Sequence, residues 1–154
     1  MVCFKININF EQKGFTFLEL LIIVGIIIIL VGITIPAFKD FKPDLQLSGV
    51  VRELATDIRY AQQLTVTEQI EYCIRFFQLE KKYQIIKCGQ EQPLVEKIFP
   101  QEIQMFTITD FINNEIEFNP YGAVKESGSI SLENTKNKIK TIEVRPSGFV
   151  RIIN

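Results

Sequence analysis

The chain has 154 residues, 47% of them hydrophobic, and a formal net charge of −1, which gives no global reason to expect a nucleic-acid binder or a polybasic membrane-surface protein. It has 0 histidines, and its 3 cysteines (Cys3, Cys73 and Cys88) form no C-x-x-C pair, so neither a zinc nor an iron–sulfur site is expected. With no glycine-rich phosphate loop and no G-x-S-x-G elbow, neither enzymatic activity nor a cofactor is expected.

A short polar leader ends at Lys13-Gly14. From Phe15 to Phe38 the sequence reads FTFLELLIIVGIIIILVGITIPAF, apolar throughout except for the single charge of Glu19. Such a helix is roughly 36 Å long, enough to cross a hydrocarbon core of about 30 Å with some tilt. The run is too long for a secretory h-region, and no small-x-small cleavage site follows it. A carboxylate within a membrane segment costs about 2.5–3.5 kcal/mol on insertion scales, so Glu19 calls for a partner. Its place in the first turns of a helix lets the macrodipole stabilise it. Gly25 and Gly32 share one helix face, where small residues let a second helix approach closely. The charges flanking the span are too balanced to orient it.

Helical periodicity continues past the span. Leu47, Val50, Val51, Leu54, Ile58, Ala61 and Leu64 recur at three- and four-residue steps, with Arg52, Glu53, Asp57, Arg59 and Gln62 mostly on the other faces. A continuous or nearly continuous helix is therefore expected from about Phe15 to about Thr67. Pro36 and Pro43 each lack an N–H, and a kink is expected near both. Asp44 and Ser48 are placed to restart the helix after Pro43.

After Thr67 the period becomes two. Ile70, Tyr72, Ile74 and Phe76 alternate with Glu71, Cys73 and Arg75, a half-buried strand. Further strands are expected over 82–88, 93–99, 104–109, 115–119, 129–133, 139–145 and 149–153, with glycine-bearing or polar turns between them. The layout is α+β: a leader over 1–14, a membrane half-helix over 15–38, an amphipathic half over 39–67, and an antiparallel β domain over 68–154 packed on the helix stripe.

Cys73 and Cys88 can be placed by register. With a two-residue turn at Glu80-Lys81 they lie directly opposite each other, with Cα atoms about 5.5 Å apart, within disulfide range. A bridge there would close a loop of roughly 15 residues, for which chain entropy gives about 3 kcal/mol. The register also makes them a hydrogen-bonded pair, less suited to bridging, and Glu-Lys is not a favoured two-residue turn. Buried free thiols remain the alternative.

The order glycine, Phe15-Thr16-Phe17-Leu18-Glu19, then a long apolar run resembles the processing site of type IV pilins and pseudopilins. Near the other end, Phe118-Asn119-Pro120-Tyr121-Gly122 and Glu143-Val144-Arg145-Pro146-Ser147-Gly148-Phe149-Val150-Arg151-Ile152 resemble the GspH/FimT group of minor pseudopilins. In that group an F-x-P-x-G turn and a glycine-containing hairpin close the domain, and the helix stretch with Arg59 and Ala61 is also similar. The resemblance implies cleavage by a prepilin peptidase after Gly14 and methylation of the new amine on Phe15. It implies an assembly role for Glu19 against a neighbouring subunit's amine, and a flexing point at Pro36. Partners would be the peptidase, the major and other minor pseudopilins, and an inner-membrane assembly platform. The leader would be cytoplasmic and the β domain extracytoplasmic, on a single-pass inner-membrane protein of a type II secretion or related pilus-like filament. Removing the leader would leave 15 basic and 17 acidic residues, a net charge of −2.

Two other readings stand beside it, a DNA-binding minor pilin for DNA uptake and a plain membrane-anchored binding domain. Some FimT-type minor pilins bind DNA through arginines of the closing hairpin. Here Arg151 is present and Phe149 replaces the other arginine, so Arg151, Lys136, Lys138 and Lys140 are the candidate contacts. A solvated lysine hairpin is the preferred reading, and nucleic acid is not expected as a partner.

Overall fold

A single helix, α1, runs over Phe17–Glu68, with no interruption assigned at Pro36 or Pro43. The structure is a computed structural model that describes residues 14–153, with the backbone alone for 35–40 and 105. Residues 1–13 of the leader, with Cys3, lie outside the described residues, as does the side chain of Pro36. Asp44 and Ser48 do not restart the helix. They lie within it, and the Ser48 hydroxyl donates to the Asp44 carbonyl at 2.9 Å.

The described residues fall into two compact units that divide between 39 and 40. In the first, the segment Phe17–Thr34 is long and apolar enough to cross a membrane. Its large side chains are all exposed, from Phe17 and Leu18 to Val31 and Ile33. Water would not tolerate that much contiguous apolar surface, so lipid or other apolar helices must cover it.

In the second unit the strands are β1 (Tyr72–Phe77), β2 (Lys82–Lys87), β3 (Pro93–Ile98), β4 (Ile103–Thr109), β5 (Glu115–Phe118), β6 (Gly128–Asn134), β7 (Ile139–Val144) and β8 (Val150–Ile153). They make two antiparallel four-stranded sheets, ordered β3-β2-β1-β5 and β4-β6-β7-β8. Alternation decides which face is inward. In β6, Ile130, Leu132 and Asn134 are buried while Ser129, Ser131 and Glu133 are half-buried on the other side.

Both sheets and the helix share one core. Leu47, Val51, Leu54, Ala55, Ile58 and Ala61 of α1 meet Tyr72, Ile74 and Ile85 of the first sheet and Ile130, Leu132 and Ile142 of the second. Alanines at 55 and 61 keep the stripe narrow enough for strands to come close on either side. At one end, Phe76, Tyr83, Phe99 and Phe106 form a chain of tilted rings with centroids 5.0–6.4 Å apart.

Polar groups pin the helix at both flanks. Asn134, fully buried, accepts from the Lys136 and Lys138 amides at 2.9 and 3.0 Å and donates to the Asp44 carboxylate at 2.9 Å. The β6–β7 turn is thereby tied to the helix, and Lys138 also pairs with Asp44. On the other flank the buried Tyr83 hydroxyl donates to Asp57. Lys97 bridges Asp57 and Glu53 at 2.8 Å each.

Burial, and then the Asp57 carboxylate accepting its proton, push the Tyr83 phenol well above its usual value of 10.0. A raised folded value means that this stability is fully present below the unfolded value and is lost as pH rises beyond it. Tyr83→Phe should therefore lower stability by about 1–2 kcal/mol at neutral pH through the lost hydrogen bond. Above pH 10.0 its stability should fall less steeply than that of the parent. Thermal unfolding across an alkaline pH series checks this, and parallel curves for the two chains would contradict it.

Candidate assembly site

The exposed apolar helix begins with a defined cap. The Thr16 hydroxyl accepts from the Glu19 amide at 3.2 Å, and the Thr16 carbonyl accepts from Leu20 N–H at 3.2 Å. Thr16 is thus the N-cap, and Glu19 is the third helical residue of a T-x-x-E capping sequence. Glu19 sits where free N–H groups and the positive end of the helix dipole converge. A carboxylate at that place is tolerated in an apolar surround and is available to a cation. The spacing Thr16-x-x-Glu19 is a local sequence signal for this cap. No side chain besides Thr16 meets Glu19 in a hydrogen bond or ion pair among the described residues.

At the far end of the helix a second constellation closes the β domain. The Asn119 side-chain oxygen accepts from the amides of Tyr121 and Ala123 at 3.0 and 3.1 Å, while Gly122 N–H donates to the Asn119 carbonyl at 2.8 Å. Gly122 takes φ 83 and Gly148 takes φ 77, both in the left-handed region that glycine enters without cost. The two turns meet on the helix. The Gln62 amide donates to the Gly122 carbonyl at 2.6 Å, and the Val124 amide donates to the Pro146 carbonyl at 3.2 Å. A Cβ at Gly148 would collide with the Gly122 carbonyl and the Gln62 side chain. Arg59, one turn earlier, donates to the Val150 carbonyl at 3.1 Å. The two motifs are one structural device that seats the closing hairpin against Arg59 and Gln62. Gln62 was read from sequence only as a polar-face residue.

Cys73 and Cys88 are joined by a disulfide with Cα atoms 5.2 Å apart. The register differs from the one expected. Cys73 lies opposite Ile86, Phe77 lies opposite Lys82, and Cys88 N–H donates to the Glu71 carbonyl at 3.0 Å. The hairpin loop is therefore Gln78–Lys81, with one positive φ, at Lys81 (φ 49). A two-residue turn at Glu80-Lys81 would have demanded positive φ at residues that resist it. The longer loop moves the pairing by two positions, so the cysteines become diagonal neighbours on one face. That face is opposite the main core, and there Ile86 and Cys73 are buried. The bridge covers Ile86 as a small second core.

The basic residues near the end of the chain are not brought to one face. Lys138 is engaged with Asp44. Lys140 lies beside Ser48, Arg52 and Ile152. Arg151 stands opposite Glu143 in the pairing of β7 with β8. Phe149 and Tyr121 are exposed, the latter 92%.

No known family profile matches the chain. Its N-terminal region is 50% identical over 44 residues to fimbrial protein Q of Moraxella bovis, covering 29% of this chain and 28% of that one. It is 46% identical over 44 residues to a fimbrial protein of Pseudomonas aeruginosa, again 29% of each chain. The chain thus spans under a third of the length of these curated relatives. Two solved structures resemble it much more extensively. The type IV minor pilin FimU of Pseudomonas aeruginosa superposes with a TM-score of 0.60 at 14% identity, over 74% of this chain and 92% of that one. The minor pseudopilin EpsH from the type 2 secretion system of Vibrio cholerae gives 0.56 at 7% identity, over 70% and 96%. The fold is that of these minor pilins and pseudopilins, an apolar N-terminal helix followed by antiparallel sheet packed on the helix.

The joined turns make a stability prediction. Gly148→Ala adds a Cβ at φ 77, against a carbonyl and a side chain already in contact. The expected loss is about 2–4 kcal/mol from backbone strain and overpacking together. Gly49→Ala, at a helical position with nothing within 4 Å, should be neutral or slightly stabilising. Chemical denaturation of the two variants compares them directly.

Proposed function

We propose that this chain is a minor pseudopilin of the GspH/FimT type, a structural subunit and not an enzyme. It is made as a precursor, cut after Gly14 by a prepilin peptidase and methylated on Phe15. The apolar helix holds it in the inner membrane with the β domain outside, until it enters a type II secretion or related pilus-like filament. One observation carries this reading. A wholly exposed apolar helix, capped by Thr16 and bearing its single acid at Glu19, belongs to the same chain as a domain with the minor-pilin fold.

The physics of assembly follows from that helix. Its apolar surface can leave lipid only for another apolar environment, and the packed helices of a filament core supply one. In that dry setting an unpaired carboxylate is costly, so Glu19 favours the stagger that brings a neighbour's amine alongside. The amine of Phe15, freed by cleavage, is a cation at the right depth. Its own Glu19 is about 6 Å further along the axis, so a staggered subunit offers the closer pairing. Such an interface is head-to-tail and does not close into a ring, which is the geometry of a filament.

Two measurements test the proposal. Protein extracted from membranes of a strain with active prepilin peptidase should have the mass of a chain beginning at Phe15 plus one methyl group, and a chain still carrying its leader would refute the assignment. Glu19→Ala should be processed normally yet crosslink much less to the major subunit. The unaltered crosslinking of that variant would remove Glu19 from assembly.

A further inference from the structure

The distribution of unpaired charge in the β domain points to a second binding surface. Over most of the domain, lysines and arginines have carboxylate partners: Lys42 with Glu102, Lys97 with Asp57, Lys125 with Glu117, Lys138 with Asp44. Arg52, Arg59, Lys140, Lys81 and Arg151 have none among the described residues. Lys81 is held at the Ile103 carbonyl at 3.0 Å and Arg151 stands across from Glu143 in the strand pairing, while the other three do not scatter. Arg52 and Arg59 are seven apart on α1 and so share a helix face. Arg52 and Lys140 line one groove with Ser48, Val51 and Ile152. Arg59 reaches the start of β8, at the Val150 carbonyl.

That groove runs along an open sheet edge. β8 pairs with β7 alone and ends its sheet. Arg145 N–H donates to the Phe149 carbonyl, so the hydrogen-bonded pairs are 145 with 149, 143 with 151, and 141 with 153. Val150 and Ile152 therefore turn their backbone groups outward. Arg59 occupies the Val150 carbonyl. The Val150 N–H and both backbone groups of Ile152 have no backbone partner beyond β7 among the described residues. A strand edge is a template for an added strand, and native proteins commonly blunt such edges. Here the edge carries the half-buried Ile152 and three cations that meet no carboxylate among the described residues.

We propose that the β8 edge receives an extended acidic segment of another polypeptide as an added strand. Its backbone would pair with Val150 and Ile152, and alternate carboxylates would meet Arg52, Arg59 and Lys140. A strand edge offers both N–H donors and C=O acceptors, and a peptide backbone pairs with both, whereas a phosphate can only accept. This surface does not depend on the filament reading, since it lies wholly within the second unit, 40–154.

The test uses the detergent-solubilised full chain and a fluorescein-labelled octapeptide of alternating glutamate and valine. Fluorescence anisotropy should show saturable binding. A peptide with alternate backbone amides N-methylated, and one with lysine in place of glutamate, should each bind at least about tenfold more weakly. Arg52→Gln with Lys140→Gln should weaken binding of the acidic peptide by a similar factor, with an unchanged thermal transition as the check on folding. Arg151→Ala, on the opposite face of the sheet, should leave it unchanged. Absence of saturable binding, equal affinity for the N-methylated peptide, or equal affinity for the lysine peptide would each overturn the proposal. So would tighter binding of a duplex DNA oligonucleotide that the same double variant abolishes.

Discussion

Every strand of the β domain is ordered by one surface, the narrow apolar stripe of Leu47, Val51, Leu54, Ala55, Ile58 and Ala61 on α1. A four-stranded sheet alone has no second layer against which to bury its apolar face. Placed on either flank of the stripe the two sheets enclose a core, and each buried leucine, isoleucine or valine on the stripe contributes about 1.5–3 kcal/mol. Register follows from the same constraint, because a slip by one residue would turn Ile130, Leu132 and Ile142 out to solvent.

Specific polar contacts then place the sheets along the helix. Asp44 holds the β6–β7 turn through Asn134 and Lys138, Asp57 holds Tyr83 of β2, and Arg59 and Gln62 hold the closing turns. Because these bonds are distributed over the length of the amphipathic half of α1, the helix acts as a measured spine. The segment Phe17–Thr34 is apolar but for Glu19 and Thr34, and its large side chains are exposed. The division of labour is chemical: one half binds its own chain, and the other is left to bind lipid or like helices.

Charge is arranged with the same economy. Most basic groups of the domain serve pairs that fasten loops to strands or strands to the helix. A raised Lys125 and a lowered Glu102 both reflect a partner in hydrogen-bond contact, Glu117 for the first and Lys42 for the second. Arg52, Arg59 and Lys140 meet no opposite charge among the described residues, and they lie together beside the edge where β8 ends the second sheet.

Local information determined a great deal of this protein. The apolar run with its lone acid, the three- and four-residue periodicity that follows, and the switch to alternation after Thr67 depend only on neighbours in sequence, so the α+β layout and most strand positions could be read directly. The capping pair Thr16–Glu19 was equally local and could have been read. What sequence could not decide was long-range. The register of β1 on β2 turned on which loop Gln78–Lys81 could close, so Cys73 met Ile86 across the pair and Cys88 on the diagonal. The order of strands, the use of Asp44 as a tether in place of a helix start, and the meeting of Gly122 with Gly148 on Gln62 are all long-range, the bonds of Gln62 and Asp44 alone joining residues 60 to 94 positions apart. Their bonding groups could each find several partners, and only the packing of two sheets around one helix stripe selects among them.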